Sequence, residues 1–180
     1  MVVDEGHDLH TAVQRAAAQL GIRPQHLDVD IPALRRAVRD YRELFRPQQA
    51  ETLRDLRRLA LQAMQSFAEF QPRLAGTLVH GDGPLDQARL ILIADTAEQV
   101  VFKLQDLHIP WRDGEVTLQY TRDRRKPHPA FRFMAGDTNI ELVVLAPSSR
   151  NDPPRDPLGK GPLEMLDVDR LEALIDAAQP

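Results

Sequence analysis

Four consecutive residues near the middle of the chain, His80-Gly81-Asp82-Gly83, carry groups that can do chemistry. A histidine beside a carboxylate can act as a general base or bind a ligand, and a glycine-rich turn can hold a phosphate on its backbone N–H groups. Glycine and aspartate are also the residues that favour ordinary turns. The motif therefore has two interpretations, a binding or catalytic turn and a purely structural one.

Two short apolar runs, Leu74–Val79 and Ala88–Ala94, flank this turn. Both have the length of a strand, and the second contains a stretch that is apolar on both faces, as in a strand covered on both sides. Gln87 and Arg89 are two residues apart, so a strand would point their side chains to the same face. We predict a strand, a glycine-bearing turn and a second strand.

This layout resembles the signature of the nucleotidyltransferase superfamily, in which a strand ending in Gly-Ser and a glycine turn precede a strand with two alternate aspartates. The resemblance extends from about Tyr41 to about Leu145. The sequence is similar to a group of small bacterial chains with a nucleotidyltransferase-like core. The residues that match the Gly-Ser pair and the turn are Gly76, Thr77, Gly81 and Gly83.

The resemblance also indicates what this chain lacks. In the family, paired aspartates and a third carboxylate hold Mg²⁺, which grips a triphosphate and activates the attacking oxygen. Here Gln87 and Arg89 occupy the aspartate positions, and Glu141 matches the third carboxylate. A guanidinium repels a cation, but it can bind an anion directly. The resemblance thus implies a nucleotidyltransferase-like fold without metal-dependent catalysis, without a cofactor and without a metal site.

Three hypotheses about function remain open. The leading one is a non-enzymatic binding or regulatory module that holds a nucleotide or another phosphate-bearing anion. The second is an active nucleotidyltransferase in which Glu141 and a rearranged acid, Asp82 or Asp86, hold Mg²⁺. The expected ligand-binding residues of the leading hypothesis are Gly76, Thr77, Gly81, Gly83, Gln87 and Arg89.

The third hypothesis is an adaptor that contacts an acidic protein or RNA. Its basis is a run of arginines on two predicted helices and a second basic cluster, Thr121–Pro129, in a predicted loop. Solvated helix faces with intrahelical ion pairs are the alternative explanation. The helical arginines are Arg35, Arg36, Arg39, Arg42, Arg46, Arg54, Arg57 and Arg58.

Composition limits the remaining function classes. The chain has 180 residues, 42% of them hydrophobic and 28% charged, which indicates a globular domain. It has no cysteine, which excludes disulfides and thiolate zinc sites. His7 and His10 are one helical turn apart, but a single turn of a terminal helix is a poor cage for a metal. The sequence shows neither a secretory signal nor a transmembrane run, so we expect a cytoplasmic protein without membrane contact.

The order of elements predicts an α+β (α/β-like) fold. N-terminal helices precede a small mixed sheet of about five strands with one crossover helix, and a docked C-terminal helix closes the chain. We assign residues 1–46 to the N-terminal helical segment, 47–146 to the nucleotidyltransferase-like core and 147–180 to a proline-rich connector and final helix. The predicted buried stripe of the second helix is Leu34, Ala37, Val38, Tyr41, Leu44 and Phe45.

Overall fold

The computed structural model describes residues 9–19, 21, 30–121, 124–157 and 161–177. Within these ranges the chain forms an α+β fold with six α-helices and a mixed, open sheet of six strands. The helices are α1 (Leu9–Gln19), α2 (Ile31–Phe45), α3 (Pro47–Ser66), α4 (Thr77–His80), α5 (Ala97–Asp106) and α6 (Val168–Ala177). The strands are β1 (Arg73–Ala75), β2 (Gln87–Ile93), β3 (Arg112–Gln119), β4 (Arg125–Ala135), β5 (Thr138–Leu145) and β6 (Met165–Leu166).

The sheet has the strand order β3-β4-β5-β2-β1-β6. The central strands β2 and β5 are parallel, and all other neighbours are antiparallel. Helix α5 and the β3–β4 hairpin connect the two parallel strands. The predicted mixed sheet is confirmed. The additional strand, β6, has two residues and follows the proline-rich connector, where no periodic pattern indicates a strand.

The main core lies between α3 and one face of the sheet. Leu56, Ala60 and Met64 of α3 are buried there, and their spacing of four residues places them on one face of the helix. Helix α6 packs beside α3 through Leu171 and Ile175, so the docked C-terminal helix is also confirmed.

A second, smaller cluster lies on the opposite face of the sheet. Ile91 of β2 and Val143 of β5 are buried in it with Leu118 of β3 and the aromatic ring of Tyr120. Apolar residues therefore cover both faces of β2, as its sequence predicts. The polar residues discussed below lie on this second face.

The prediction of a strand over Leu74–Val79 is wrong beyond Ala75. Gly76 has φ of 83° and ψ of −152°, a conformation that glycine adopts without strain and that ends the strand. The next four residues form the short helix α4. The apolar side chains of Leu78 and Val79 are buried as predicted, but from a helix.

The predicted buried stripe of α2 is also wrong. Tyr41, Leu44 and Phe45 are 39%, 74% and 65% exposed, and Ala37 is exposed as well. Arg42 is the buried residue of this helix, with 3% of its surface exposed. Its guanidinium binds backbone carbonyls of the glycine turn, and this contact sets the rotation of the helix.

The prediction of a loop over Thr121–Pro129 fails because β4 begins at Arg125. Residues 125–129 pair with β3 alone, since β5 pairs with β4 only from Ala130 onward. Pro127 and Pro129 therefore lie where β4 has an unpaired edge, which tolerates a missing N–H donor. The basic residues project from an exposed hairpin.

Candidate functional site

The sheet register brings together the residues that the sequence predicts to be neighbours. Ala75, immediately before the Gly76 turn, pairs with Arg89 of β2, and Arg89 pairs with Glu141 of β5. Gln87 and Arg89 project to the same face, since both contact Glu141. The predicted placement of these residues is confirmed.

Glu141 is buried, and several donors contact its carboxylate. Its Oε2 accepts a hydrogen bond from Nε of Arg89 and lies 3.4 Å from Nε2 of Gln87. Its Oε1 accepts a bond from Nε of Arg132 on β4 at 2.8 Å. The side chain of Glu141 is 2% exposed, whereas those of Arg89 and Arg132 are 33% and 39% exposed. Both carboxylate oxygens are therefore occupied by guanidinium groups.

Sequence reasoning missed Arg132, although a signal for it was present. Arg132 lies between Phe131 and Phe133, which face the main core, so strand alternation places it on the same face as Glu141. Gly114 of β3 makes room for it, because a Cβ atom at that glycine would lie 2.5 Å from Nη1 of Arg132.

The residues at this position do not fit Mg²⁺. A magnesium ion needs oxygen ligands, and Glu141 has committed both of its oxygens to cations. Asp82 is buried and paired elsewhere, and Asp86 is exposed in the loop before β2. Among the residues that the structure describes, no three histidine, aspartate or glutamate side chains are grouped to hold a metal.

Two buried arginines hold the glycine turn in place. Arg42 of α2 donates to the carbonyl oxygens of Gly81 and Gly83 at 2.7 and 3.1 Å. Arg57 of α3 donates to those of Leu78 and Val79 at 2.8 and 3.1 Å. Burial lowers the pKa of Arg57 to about 10 with the help of nearby Arg39 and Arg42, so it remains a cation at neutral pH.

The arginines of α2 and α3 differ in their exposure, and Arg35 and Arg54 are half-buried. Arg42 and Arg57 are internal and act on the turn, so they do not belong to an exposed surface. Arg36, Arg39 and Arg58 are exposed, and Arg58 forms an ion pair with Asp55 at 3.1 Å. Solvated faces thus account for part of the basic run, as the alternative explanation holds, but not for its buried members.

A cavity of about 420 Å³ opens beside the turn, on the second face of the sheet. Gly76, Thr77 and Arg89 border it from the sheet side. Arg125 of β4 and Arg155 of the proline-rich connector border it from other directions. Helix, sheet, hairpin and connector therefore contribute charged side chains to the same space.

Arg35 of α2 joins the turn to the connector at the edge of this cavity. Its Nε donates to Asp82 at 3.1 Å, and its Nη2 donates to Asp156 at 2.9 Å. The side chain of Arg35 is 17% exposed and those of its partners are 7% and 11% exposed, so both ion pairs are largely shielded from water. The carboxylate of Asp82 is thus paired with Arg35, and this ion pair joins the turn to α2.

His80 also borders the cavity, with Nε2 lying 3.6 Å from Oε2 of Glu164. Burial and the nearby Arg35 lower the pKa of His80, while burial raises the pKa of Asp82. His80 is therefore neutral at pH 7. A neutral imidazole can accept a hydrogen bond or a proton from a bound ligand.

The predicted ligand-binding residues separate into two sets. Gly76, Thr77 and Arg89 border the cavity. Gly81 and Gly83 are buried against Arg42, and Gln87 contacts Glu141. The two N-terminal histidines cannot be placed, because His7 and the side chain of His10 lie outside the described residues.

Comparisons with protein-family models, with curated proteins and with solved structures gave no match. Within the described ranges, no helix combines the length and the apolar character needed to cross a membrane.

Proposed function

We propose that the protein binds a small anionic ligand, such as a nucleotide, without a divalent metal, and that it acts as a binding or regulatory module. Its core is that of a nucleotidyltransferase-like domain that has lost metal-dependent catalysis. The observation that carries the proposal is the burial of Glu141 between Arg89 and Arg132. Because this carboxylate already neutralises two guanidinium groups, it is not free to bind a metal cation.

Arg89 is the residue that connects this cluster to a ligand. It donates from Nε to Glu141, and its one-third-exposed side chain also borders the cavity beside Gly76 and Thr77. Guanidinium groups bind phosphate and carboxylate oxygens in a planar, paired geometry. An anion in the cavity would thus meet a guanidinium whose orientation Glu141 already fixes.

Calorimetric titration with 3′,5′-cyclic AMP, whose phosphodiester carries one negative charge, and with ATP, in EDTA and then in excess Mg²⁺, tests the proposal. We expect cyclic AMP to bind equally well in both buffers and to bind about tenfold or more weakly to Arg89→Ala, because one charge-assisted contact contributes about 1.5–3 kcal/mol. Arg36→Ala, on the exposed side of α2, is the matched control and should bind as the wild type does.

Arg89→Ala leaves Glu141 with one guanidinium fewer, so circular dichroism must show that this variant is folded. Arg125→Ala removes an exposed arginine that β4 contributes to the cavity, and it supplies a second variant if Arg89→Ala is not folded. Nucleotide binding that requires Mg²⁺ would contradict the proposal and favour an active nucleotidyltransferase. The absence of any binding would contradict both.

An adaptor for an acidic protein partner is a second candidate, which the exposed side of α2 supports. Tyr41, Leu44 and Phe45 form an apolar surface there, and Arg36 and Arg39 are exposed on the same helix. Apolar contacts flanked by positive charges suit an acidic amphipathic segment. Binding to a glutamate-rich model peptide that Arg36→Glu/Arg39→Glu abolishes would support it, and binding unaffected by these changes would refute it.

A further inference from the structure

We infer that the cavity beside Gly76 takes a singly charged organic oxyanion with an apolar body, and not a polyphosphate. This inference rests on the proposed function and specifies the class of ligand. Carboxylates and phosphodiesters share the required chemistry, a single delocalised negative charge on oxygen.

The charges around the cavity nearly cancel. Among the described residues, four arginines border it, namely Arg35, Arg89, Arg125 and Arg155. Three carboxylates border it as well, namely Asp82, Asp156 and Glu164. With His80 neutral, the described residues that border the cavity carry four positive and three negative charges, which leaves a net charge of one positive unit.

Behind the cavity wall, the buried guanidinium groups of Arg42 and Arg57 bind carbonyl oxygens of the turn and do not border the cavity, so neither contacts a ligand there. Glu141 and Arg132 lie next to Arg89, pair with each other at 2.8 Å and cancel. A polyphosphate would bring several negative charges into a partly shielded site that offers one net positive charge, and the surplus would remain uncompensated. A metal ion could supply the missing charge, but the carboxylate suited to hold one is occupied by arginines.

The cavity also offers apolar surface. Leu118 of β3 and Leu163 of the connector border it together with Ala75, at the end of β1. Its volume of about 420 Å³ lies within the range of about 300–1,000 Å³ typical of sites for organic ligands. An inorganic anion would fill a small part of it, so an apolar body must accompany the charged group.

A series of naphthalene derivatives with the same body and different charge tests the inference. The probes are 1-naphthalenemethanol (neutral), naphthalene-1-sulfonate, naphthalene-1,5-disulfonate and naphthalene-1,3,6-trisulfonate, titrated calorimetrically in EDTA at low ionic strength. We expect the monosulfonate to bind about tenfold or more tightly than the neutral and the trisulfonated members. Arg89→Ala should remove this advantage.

Changing the charge of the cavity should change the preferred probe. Glu164 is exposed and borders the cavity, so Glu164→Gln raises the net charge to two positive units with little effect on the fold. We expect this variant to shift the preference toward the disulfonate. Glu172→Gln makes the same change on the exposed side of α6 and should leave the preference unchanged.

The outcomes separate this inference from the proposed function. Tightest binding of the trisulfonate, or tighter binding of ATP than of cyclic AMP in EDTA, would overturn the inference and leave the anion-binding function standing. If cyclic AMP, ATP and all the sulfonates fail to bind, the proposed function itself fails. If Glu164→Gln still prefers the monosulfonate, the inference is also overturned, because the net charge of the cavity would then not determine which probe binds most tightly.

Discussion

Glu141 has three polar partners, and the loss of one guanidinium partner differs in its consequence from the loss of Glu141 itself. Removing Arg89 or Arg132 leaves the carboxylate with one guanidinium. Removing the carboxylate leaves two partly buried cations near each other without their shared counter-ion, which is the more costly change. The central position of Glu141 therefore makes it the most sensitive residue of the cluster.

We predict that Glu141→Gln lowers the free energy of unfolding by about 1–3 kcal/mol, because the amide offers no charge to Arg89 and Arg132. Urea denaturation measures the effect. Glu115→Gln makes the same change on the exposed side of β3 and should alter stability by less than about 0.5 kcal/mol. Equal effects of the two substitutions would contradict the role of Glu141.

Two half-buried histidines should make the fold less stable in mild acid. Burial lowers the pKa of His80, with Arg35 adding to the effect, and burial lowers the pKa of His128, with Lys126 adding to it. Below about pH 6.5 these histidines take up protons in the unfolded chain more readily than in the folded chain. The free energy of unfolding must therefore fall as the pH falls. Denaturation midpoints measured between pH 7.5 and 5, a range that spans the ordinary histidine pKa of about 6.5, should fall accordingly.

His80→Gln/His128→Gln is the control for this pH dependence. It should flatten the slope below about pH 6.5, since the two groups that resist protonation are gone. NMR titration should also give His128 a midpoint below the ordinary histidine range. A midpoint above that range would show that the ring, bonded to Tyr120 at 2.8 Å, is held in its charged form.

At the scale of elements, helix α3 could be predicted from sequence and the rotation of α2 could not. The apolar residues of α3 recur at helical spacing and all face one sheet, so local pattern and tertiary contact agree. In α2 the contact that decides burial runs from Arg42 to Gly81, 39 residues later in the chain. A pattern of apolar residues carries no information about a buried arginine that binds distant carbonyls.

Arg42→Met should lower the free energy of unfolding by about 1–3 kcal/mol, because the carbonyl oxygens of Gly81 and Gly83 lose their buried donors. Thermal and urea denaturation measure the change. Arg36→Met, one residue after Arg35 on the exposed side of α2, should be nearly neutral. If the two variants are equally stable, the arginine does not hold the turn.

A comparison of Gly81→Ala with Gly136→Ala separates the effect of steric crowding on stability from the effect of backbone strain. Both glycines have positive φ, 67° and 59°, so both substitutions incur about 1 kcal/mol of strain. A Cβ atom at Gly81 would lie 2.7 Å from Cδ2 of Leu53, whereas Gly136 has open space around it. Gly81→Ala should therefore be the more destabilising in urea denaturation, and a larger effect at Gly136 would contradict the tight packing of the turn.

At the scale of the whole molecule, the site depends on segments that are far apart in sequence. Arg89 and Glu141 both lie in apolar segments of strand length, so two strands could be predicted, and the structure shows that these strands are neighbours with the two residues paired. The ion pair between Arg35 and Asp156 spans 121 residues and joins α2 to an irregular connector, so no local pattern indicates it. Because such long-range contacts bring several arginines together, the described residues that border the cavity have a slightly positive net charge, although the whole chain has a net charge of −4.

Manganese binding followed by electron paramagnetic resonance tests the central claim of the proposed function, that Arg89 and Arg132 prevent Glu141 from holding a metal ion. Mn²⁺ takes the same oxygen ligands as Mg²⁺, and its free form has a strong signal. We expect the wild type to leave that signal unchanged, while Gln87→Asp/Arg89→Asp, which places two carboxylates beside Glu141, should reduce it. Stoichiometric binding of Mn²⁺ to the wild type that Glu141→Gln abolishes would contradict the account.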